Sequence, residues 1–171
     1  MLKILILCFI FFFMVLPIFS LPAEWESYFR EQCSRAGVPV EIAMAILMVE
    51  NPGLDPAVVS KENPNGTRDY GLWQLNSRYL WSDFVLRYWH NLEPFRWDDP
   101  FHNTYLAVKH LQWLYSIFCT DPVPQSKSYN VIVAYNCGFV AVLSGKVPAA
   151  SANYAALVVR QFRRLVNERE V

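Results

Sequence analysis

Residues 38–53 read VPVEIAMAILMVENPG, an almost wholly apolar segment that closes on a single carboxylate, Glu50. The residues before Glu50 have the composition of a helix, and apolar side chains occupy every side of it. A helix that is apolar all round is buried in a protein core. Because Pro52 disfavours helical geometry in the residue before it, we predict that this helix ends at Glu50 or Asn51.

A carboxyl group at the end of a buried helix is favoured in its neutral form by two effects. Burial removes the water that stabilises the charge, and the carboxyl end of a helix carries partial negative charge. Both effects raise the pKa of Glu50, and an acid protonated near neutral pH is suited to general acid catalysis. The alternative interpretation is a helix-terminal glutamate that reaches solvent or pairs with an arginine, since structural ion pairs also perturb carboxyl groups.

The start of the chain has the features of a secretory signal peptide. Lys3 is the single charge among the first nineteen residues, and residues 4–19 form an apolar run. We predict a signal peptide over residues 1–23, cleaved after about residue 20 to 23, and one exported domain over 24–171. An uncleaved N-terminal anchor is the alternative, and it is the only membrane contact that we expect.

Charge and composition restrict the classes of partner. Lys and Arg number 15, as do Asp and Glu, so the net charge at pH 7 is zero. Phosphate binding needs a basic patch, so nucleic acid is not an expected partner. The three histidines have no metal-ligand spacing with cysteines or carboxylates. We therefore predict no metal site and no cofactor.

The cysteines allow more than one arrangement. Cys33, Cys119 and Cys137 lie beyond the predicted signal peptide. In an oxidising compartment this odd number allows one disulfide and one free thiol. We favour a Cys33–Cys119 bridge, because Cys137 lies inside a motif described below. Three reduced, buried thiols are equally compatible with the sequence.

Periodicity predicts a domain that is all-α or nearly so. Further helices are expected over 24–36, from 100 onward, over 129–135 and over 151–167, with Asp69 capping a short helix that begins at Tyr70. Irregular segments are expected at 51–68, 81–97 and 121–128. An alternating run at 123–133 leaves room for a minor sheet at most. In the last helix, the side chains expected to point inward are Leu157, Val158, Phe162 and Leu165.

Three motifs follow in order along the chain. They are Glu50 with residues 55–60 (DPAVVS), then 70–76 (YGLWQLN), then 134–138 (AYNCG). Together they resemble the catalytic domain of the soluble lytic transglycosylases, whose pattern is Glu-Ser-Gly-Gly-Asn-Pro-x-Ala-Val-Ser, Gly-Leu-Met-Gln-Leu and Ala-Tyr-Asn-Ala-Gly. The resemblance extends from about residue 33 to 154 and is closest to the compact members associated with secretion systems.

The resemblance implies a fold, a substrate and a location. The fold would be an all-α, lysozyme-like single domain with a deep substrate cleft. The substrate would be the glycan strands of peptidoglycan, and the protein would act in the periplasm. An envelope-spanning secretion or motility apparatus is the macromolecular partner that the compact members suggest.

The resemblance also implies roles for individual residues. Glu50 would protonate the glycosidic oxygen between MurNAc and GlcNAc, then take a proton from the MurNAc C6 hydroxyl to close a 1,6-anhydro ring. Tyr135 would lie beside Glu50 and orient it. Contacts with the sugars are implied for Ser60, Gln74, Tyr135, Asn136 and Tyr154.

The chain departs from the family pattern close to Glu50. Asn51 replaces the usual serine, Pro52-Gly53 replaces Gly-Gly, Trp73 replaces methionine, Cys137 replaces alanine, and Phe101 stands where compact members have the cysteine that pairs with the first helix. The change at Asn51 bears on the hydrogen bonding that supports Glu50. The change at Phe101 leaves Cys33 without its usual partner.

Two other functions remain open at this stage. Asp69 follows Glu50 at a spacing similar to that of the second carboxylate of animal-type lysozymes, so a hydrolytic muramidase that uses Glu50 and Asp69 is one alternative. Asp69 is otherwise a helix cap or a residue that orients the substrate. The other alternative is a peptidoglycan-binding module without catalysis, suggested by the altered residues at 51–53.

Overall fold

The computed structural model describes residues 21–80, 83–89, 93–118 and 124–168. Most of the predicted signal peptide lies outside these ranges. Helices dominate the described chain, together with a two-stranded sheet, so the predicted all-α class is confirmed. In chain order the elements are α1 (Ala23–Ala36), α2 (Val40–Glu50), β1 (Asp69–Tyr70), β2 (Leu75–Asn76), α3 (Ser77–Leu80), α4 (Asp83–Tyr88), α5 (Pro100–Ile117), α6 (Pro124–Cys137), α7 (Phe139–Leu143) and α8 (Ala149–Asn167). None of the helices described here has the length and apolar character needed to span a membrane.

Helix α2 lies in the core and ends at the predicted residue. Its buried side chains are Ile42, Ala43, Ala45, Ile46 and Leu47, and the helix packs against α8. Asn51 follows outside helical geometry, with φ −141°. Because every residue of the helix is buried or partly buried, the carboxyl end that carries Glu50 is fixed relative to the core.

The end of α1 at Ala36 and the start of α5 at Pro100 agree with the predicted ranges. Gly37 ends α1 with φ 66°, and the Val38 N–H donates to the Cys33 carbonyl at 3.0 Å, a Schellman arrangement. Asp99 caps α5, since its side chain accepts from the backbone N–H groups of Phe101 and His102. Ala107, Leu111 and Leu114 of α5 are buried, as is Phe118 directly after it. Helix α1 packs against α5.

The prediction that Asp69 caps a helix is wrong. Residues 69–76 form a tight hairpin in which Asp69 lies opposite Asn76 and Tyr70 lies opposite Leu75. The turn contains two residues with left-handed backbone, Gly71 with φ 75° and Gln74 with φ 49°. Right-handed helices cannot include such residues, so the segment turns back on itself instead.

Three other sequence predictions are wrong in part. Helix α4 lies inside the segment 81–97, which was expected to be irregular. Helix α6 begins at Pro124, so the predicted loop at 121–128 is helical from residue 124. Leu157, expected to point inward, is 44% exposed, whereas its neighbour Val158 is fully buried.

The cysteines are described in part. Cys33 is a buried free thiol, and burial raises its pKa to about 12. Cys137 is a partly buried free thiol. Cys119, the expected partner of Cys33, lies outside the described residues.

Candidate active site

A cavity of about 390 Å³ opens where the carboxyl ends of α2 and α6 meet the hairpin. It is lined by Glu50, Asn63, Asn65, Asp69, Gln74, Leu75, Asn76, Arg78, His110, Tyr135, Asn136, Cys137 and Gly138. Most of these side chains are polar, and several carry an amide. Such a lining offers paired donors and acceptors to a ligand rich in hydroxyl and amide groups.

Glu50 is the acidic group that reaches the cavity from α2. The Tyr154 hydroxyl of α8 donates a hydrogen bond of 2.6 Å to Glu50 Oε1. Burial raises the pKa of Glu50 from 4.5 to about 7; the Tyr154 hydrogen bond opposes this rise, and the charge of Asp69 adds to it. Near neutral pH the carboxyl group therefore populates both protonation states, as a group that gives and takes a proton must.

Of the two tyrosines, Tyr154 rather than Tyr135 makes the hydrogen bond to Glu50, while the charge of Glu50 still acts on Tyr135. Tyr135 lines the cavity, but its hydroxyl donates to the Trp73 carbonyl oxygen at 2.9 Å. Tyr154, expected to contact sugar, makes the hydrogen bond to Glu50. Burial and the nearby charge of Glu50 raise the pKa values of both tyrosines, which keeps both hydroxyls protonated.

Asp69 is held by side-chain amides on the hairpin. Its Oδ1 accepts from Asn76 Nδ2 at 2.7 Å, and its Oδ2 accepts from Asn63 Nδ2 at 3.1 Å. Ser60 belongs to the same network, because its Oγ accepts from the Asp69 N–H at 2.9 Å. Ser60 is absent from the cavity lining, and its hydroxyl donates to the Lys61 carbonyl at 2.8 Å.

The comparison with protein families agrees with this arrangement. The model of the transglycosylase SLT domain matches residues 27–157, most of the chain. The chain belongs to this family. The resemblance expected from the three motifs is thereby confirmed at the level of the family. A search of the curated proteins finds no match. Family membership supports a lytic transglycosylase that acts on peptidoglycan.

Two further predicted residues of the SLT domain line the cavity. Gln74 Nε2 donates to the Gly71 carbonyl at 2.9 Å, which fixes the amide at the tip of the hairpin. Asn136 lies near the end of α6 and is exposed. Of the six residues named from the sequence as catalytic or sugar-binding, Glu50, Gln74, Tyr135 and Asn136 line the cavity together, while Tyr154 reaches it through Glu50.

Sequence reasoning missed several residues that line the cavity. Asn76 ends the YGLWQLN motif, and a hairpin prediction would have placed it opposite Asp69. Asn63 and Asn65 lie in the long loop, and His110 lies on α5 with no local signal that it faces the cavity. Burial lowers the pKa of His110 to about 4, so its ring is neutral near pH 7.

The hairpin of the SLT domain is fixed from behind by Asn103 of α5, which is fully buried. Its Oδ1 accepts from the Trp73 N–H at 2.8 Å, and its Nδ2 donates to the carbonyls of Tyr70 and Trp97 at 3.2 and 3.0 Å. Trp73 is fully buried as well, and its indole N–H donates to Thr104 at 2.9 Å. Trp73 is thus a core residue that anchors the hairpin to α5.

Asn51, which replaces the family's serine, stabilises the loop after α2. Its Nδ2 donates to the Asp55 carbonyl at 2.7 Å, and its Oδ1 accepts from the Asp55 N–H at 3.2 Å. The hydrogen bond to Glu50 comes from Tyr154 instead. The substitution therefore leaves Glu50 with a strong donor from another helix.

Proposed function

We propose that the protein is a peptidoglycan lytic transglycosylase that cleaves the β-1,4 bond between MurNAc and GlcNAc and forms 1,6-anhydro-MurNAc. Glu50 is the acid and then the base of the reaction. The observation that carries the proposal is the carboxyl group of Glu50, held by Tyr154 in an amide-lined cavity with its pKa raised to about 7.

The chemistry needs one group that exchanges a proton twice. Protonated Glu50 gives its proton to the glycosidic oxygen, and the bond from that oxygen to C1 of MurNAc breaks. The carboxylate then takes the proton of the C6 hydroxyl as O6 bonds to C1. Glu50 is protonated again at the end, and no water is consumed. A pKa near the working pH makes both transfers accessible to the same group.

The rest of the cavity supports this proposal through binding and positioning. Asn136 and Asn65 bring side-chain amides to the cavity. Gln74 and Asn63, whose N–H groups donate within the protein, offer their carbonyl oxygens as acceptors to hydroxyl and N-acetyl groups. The Tyr154 hydrogen bond restricts the carboxyl group of Glu50 to one orientation. Asp69 contributes negative charge that favours the protonated acid before cleavage.

A hydrolytic muramidase is the second candidate, because Asp69 lines the same cavity as Glu50. In that mechanism Asp69 attacks C1 and water later releases the sugar. We favour the transglycosylase because both oxygens of Asp69 already accept hydrogen bonds from Asn76 and Asn63, which lowers their nucleophilicity. A binding module without catalysis gains nothing from a buried carboxyl group, whose desolvation is unfavourable.

The products of digestion distinguish the two reactions. We expect purified protein to release muropeptides that end in 1,6-anhydro-MurNAc, each lighter by one water than the hydrolysis product, and mass spectrometry measures this directly. Digestion in water labelled with ¹⁸O should leave these ends unlabelled, since water does not enter the bond. Reducing ends that carry ¹⁸O would instead establish the muramidase.

The hydrogen bond from Tyr154 makes a prediction about pH. It stabilises the charged form of Glu50, so Tyr154→Phe should raise the pKa of Glu50 further above its value of about 7. Activity that requires protonated Glu50 should then persist to higher pH, by about one unit, while the maximal rate falls several-fold because the orienting bond is lost.

The measurement is the pH profile of kcat/KM on soluble glycan strands. Tyr129→Phe is the matched control, because Tyr129 lies on α6 with 44% of its surface exposed and is absent from the cavity lining. An alkaline limb that stays in place or moves to lower pH in Tyr154→Phe would contradict the role assigned to this bond.

Export to the periplasm is part of the proposal, because peptidoglycan lies outside the inner membrane. The apolar segment at 4–19 and the predicted cleavage after about residue 20 to 23 support it. Cell fractionation and the N-terminal sequence of the mature protein would separate a cleaved signal from a retained inner-membrane anchor.

A further inference from the structure

Arg78 lines the same cavity as the carboxylates of Glu50 and Asp69. Arg78 lies at the start of α3, and its backbone N–H donates to Asn76 Oδ1 at 3.1 Å. The Nδ2 atom of the same asparagine donates to Asp69 Oδ1 at 2.7 Å. The side chain of Asn76 therefore links the backbone of Arg78 to the carboxylate of Asp69.

The guanidinium group of Arg78 differs from that of most arginines in the described chain. Five arginines have a carboxylate oxygen within 4 Å, namely Arg30, Arg35, Arg68, Arg96 and Arg164. Among the carboxylates whose side chains the structure describes, none pairs with Arg78 within that distance. Asp69 lies on the neighbouring hairpin, and its two oxygens accept hydrogen bonds from Asn76 and Asn63. Among the side chains that the structure describes, the guanidinium group therefore has no ion-pair partner that would compete with an anionic ligand.

The charge of the cavity explains why such a group would matter. Glu50 and Asp69 make the cavity unfavourable for an anionic ligand, and His110 is neutral near pH 7 because burial lowers its pKa to about 4. Among the lining residues that the structure describes, Arg78 is the one with a permanent positive charge. An anionic group of the substrate would bind most favourably at Arg78.

We propose that Arg78 binds a carboxylate of the muramic acid side chain and so selects muramyl glycans over neutral GlcNAc polymers. The inference rests on the proposed function. MurNAc differs from GlcNAc by a lactyl ether, which ends in a carboxylate in bare strands and carries the carboxylates of the stem peptide in substituted strands. The planar fork of a guanidinium group binds a carboxylate with two parallel hydrogen bonds.

The proposal is tested by measuring glycan binding to a catalytically inactive variant, so that the probes are not cleaved. In the Glu50→Gln background, three tetrasaccharide probes are compared by calorimetry: muramyl glycan with free lactyl groups, the same glycan with stem peptides, and chitotetraose. Adding Arg78→Gln should weaken binding of at least one muramyl probe about tenfold, or about 1.4 kcal/mol, and that of chitotetraose less than about twofold.

Arg68→Gln is the matched control. Arg68 is exposed, pairs with Glu62 at 3.5 Å and is absent from the cavity lining, so its loss changes net charge equally without changing the preference among probes. Salt gives a test without the Arg78 substitution. Between about 0.05 and 0.5 M salt, muramyl binding should weaken more than chitotetraose binding.

The outcomes separate the sources of the carboxylate. Loss confined to the bare glycan assigns the lactyl group, and loss confined to the substituted glycan assigns the stem peptide; both support the proposal. Equal effects on all three probes would overturn it. If wild-type protein forms no anhydro product while the binding preference for muramyl probes still depends on Arg78, the proposed function fails and the carboxylate site stands.

Discussion

Glu50→Gln is expected to lower the release of soluble muropeptides at least about a hundredfold while leaving the fold intact. Glutamine has the shape of glutamate and can still accept the hydrogen bond that Tyr154 donates at 2.6 Å. It cannot give or take a proton at any useful pH, so both steps of the reaction lose their catalyst. Initial rates on purified peptidoglycan, with circular dichroism for the fold, measure the effect.

The same substitution should change how stability depends on pH. The folded pKa of Glu50, about 7, lies above the unfolded value of 4.5 because burial penalises the charge. The stability that protonated Glu50 contributes is thus fully present below about pH 4.5 and is lost as pH rises through about 7. Glu50→Gln has no such loss. Its melting temperature should exceed that of wild type increasingly from pH 5 to 8, and equal stability at pH 8 would contradict a buried carboxyl group.

Asp69→Asn is the comparison that decides whether one carboxylate is enough. In the proposed mechanism Asp69 only assists, so activity should fall about tenfold or less, roughly 1.4 kcal/mol of transition-state stabilisation. Some stability should be lost too, because an amide at 69 presents N–H groups to the amide donors of Asn63 and Asn76. Equal collapse of activity in Glu50→Gln and Asp69→Asn, with both proteins folded, would overturn the single-carboxylate mechanism.

Features of the fold that depend on neighbouring residues could be predicted from the sequence. The end of α2 at Glu50, the Gly37 terminus of α1 and the Asp99 cap of α5 each depend on a local signal: a following proline, a left-handed glycine and a side chain that accepts backbone N–H groups. The sequence predicts Glu50 as the catalytic acid because a carboxylate after an apolar helix stands out without knowledge of tertiary contacts.

Features that depend on how helices dock could not be predicted in the same way. Tyr135 and Tyr154 are both aromatic residues with a hydroxyl, and the sequence does not show which one reaches Glu50. The packing of α8 on α2 brings Tyr154 to Glu50, while Tyr135 reaches the hairpin carbonyl of Trp73 instead. The exposure of Leu157 is likewise set by the rotation of α8 against its neighbours.

The hairpin depends on a close approach of Gly71 to Asn103 and Trp97, which no local sequence pattern predicts. The substitution Gly71→Ala tests this approach. A Cβ atom at Gly71 would overlap the Asn103 amide nitrogen and the Trp97 carbonyl oxygen, and would lie 2.9 Å from Asn103 Cγ. Asn103 cannot move aside without breaking its bonds to Tyr70, Trp73 and Trp97. We expect the free energy of unfolding to fall by about 2–5 kcal/mol, combining left-handed strain with overpacking.

Comparing the urea denaturation of Gly71→Ala with that of Gly37→Ala separates backbone strain from overpacking. Gly37 has a similar left-handed backbone, φ 66° against 75°, but a Cβ there would meet nothing within 4 Å. Gly37→Ala should therefore show the backbone strain alone, about 1–2 kcal/mol. Equal losses would mean that the hairpin yields to the added methyl group. A larger loss at Gly71, with activity reduced even in the folded fraction, would show that Asn103 holds Trp73 and Gln74 where the site needs them.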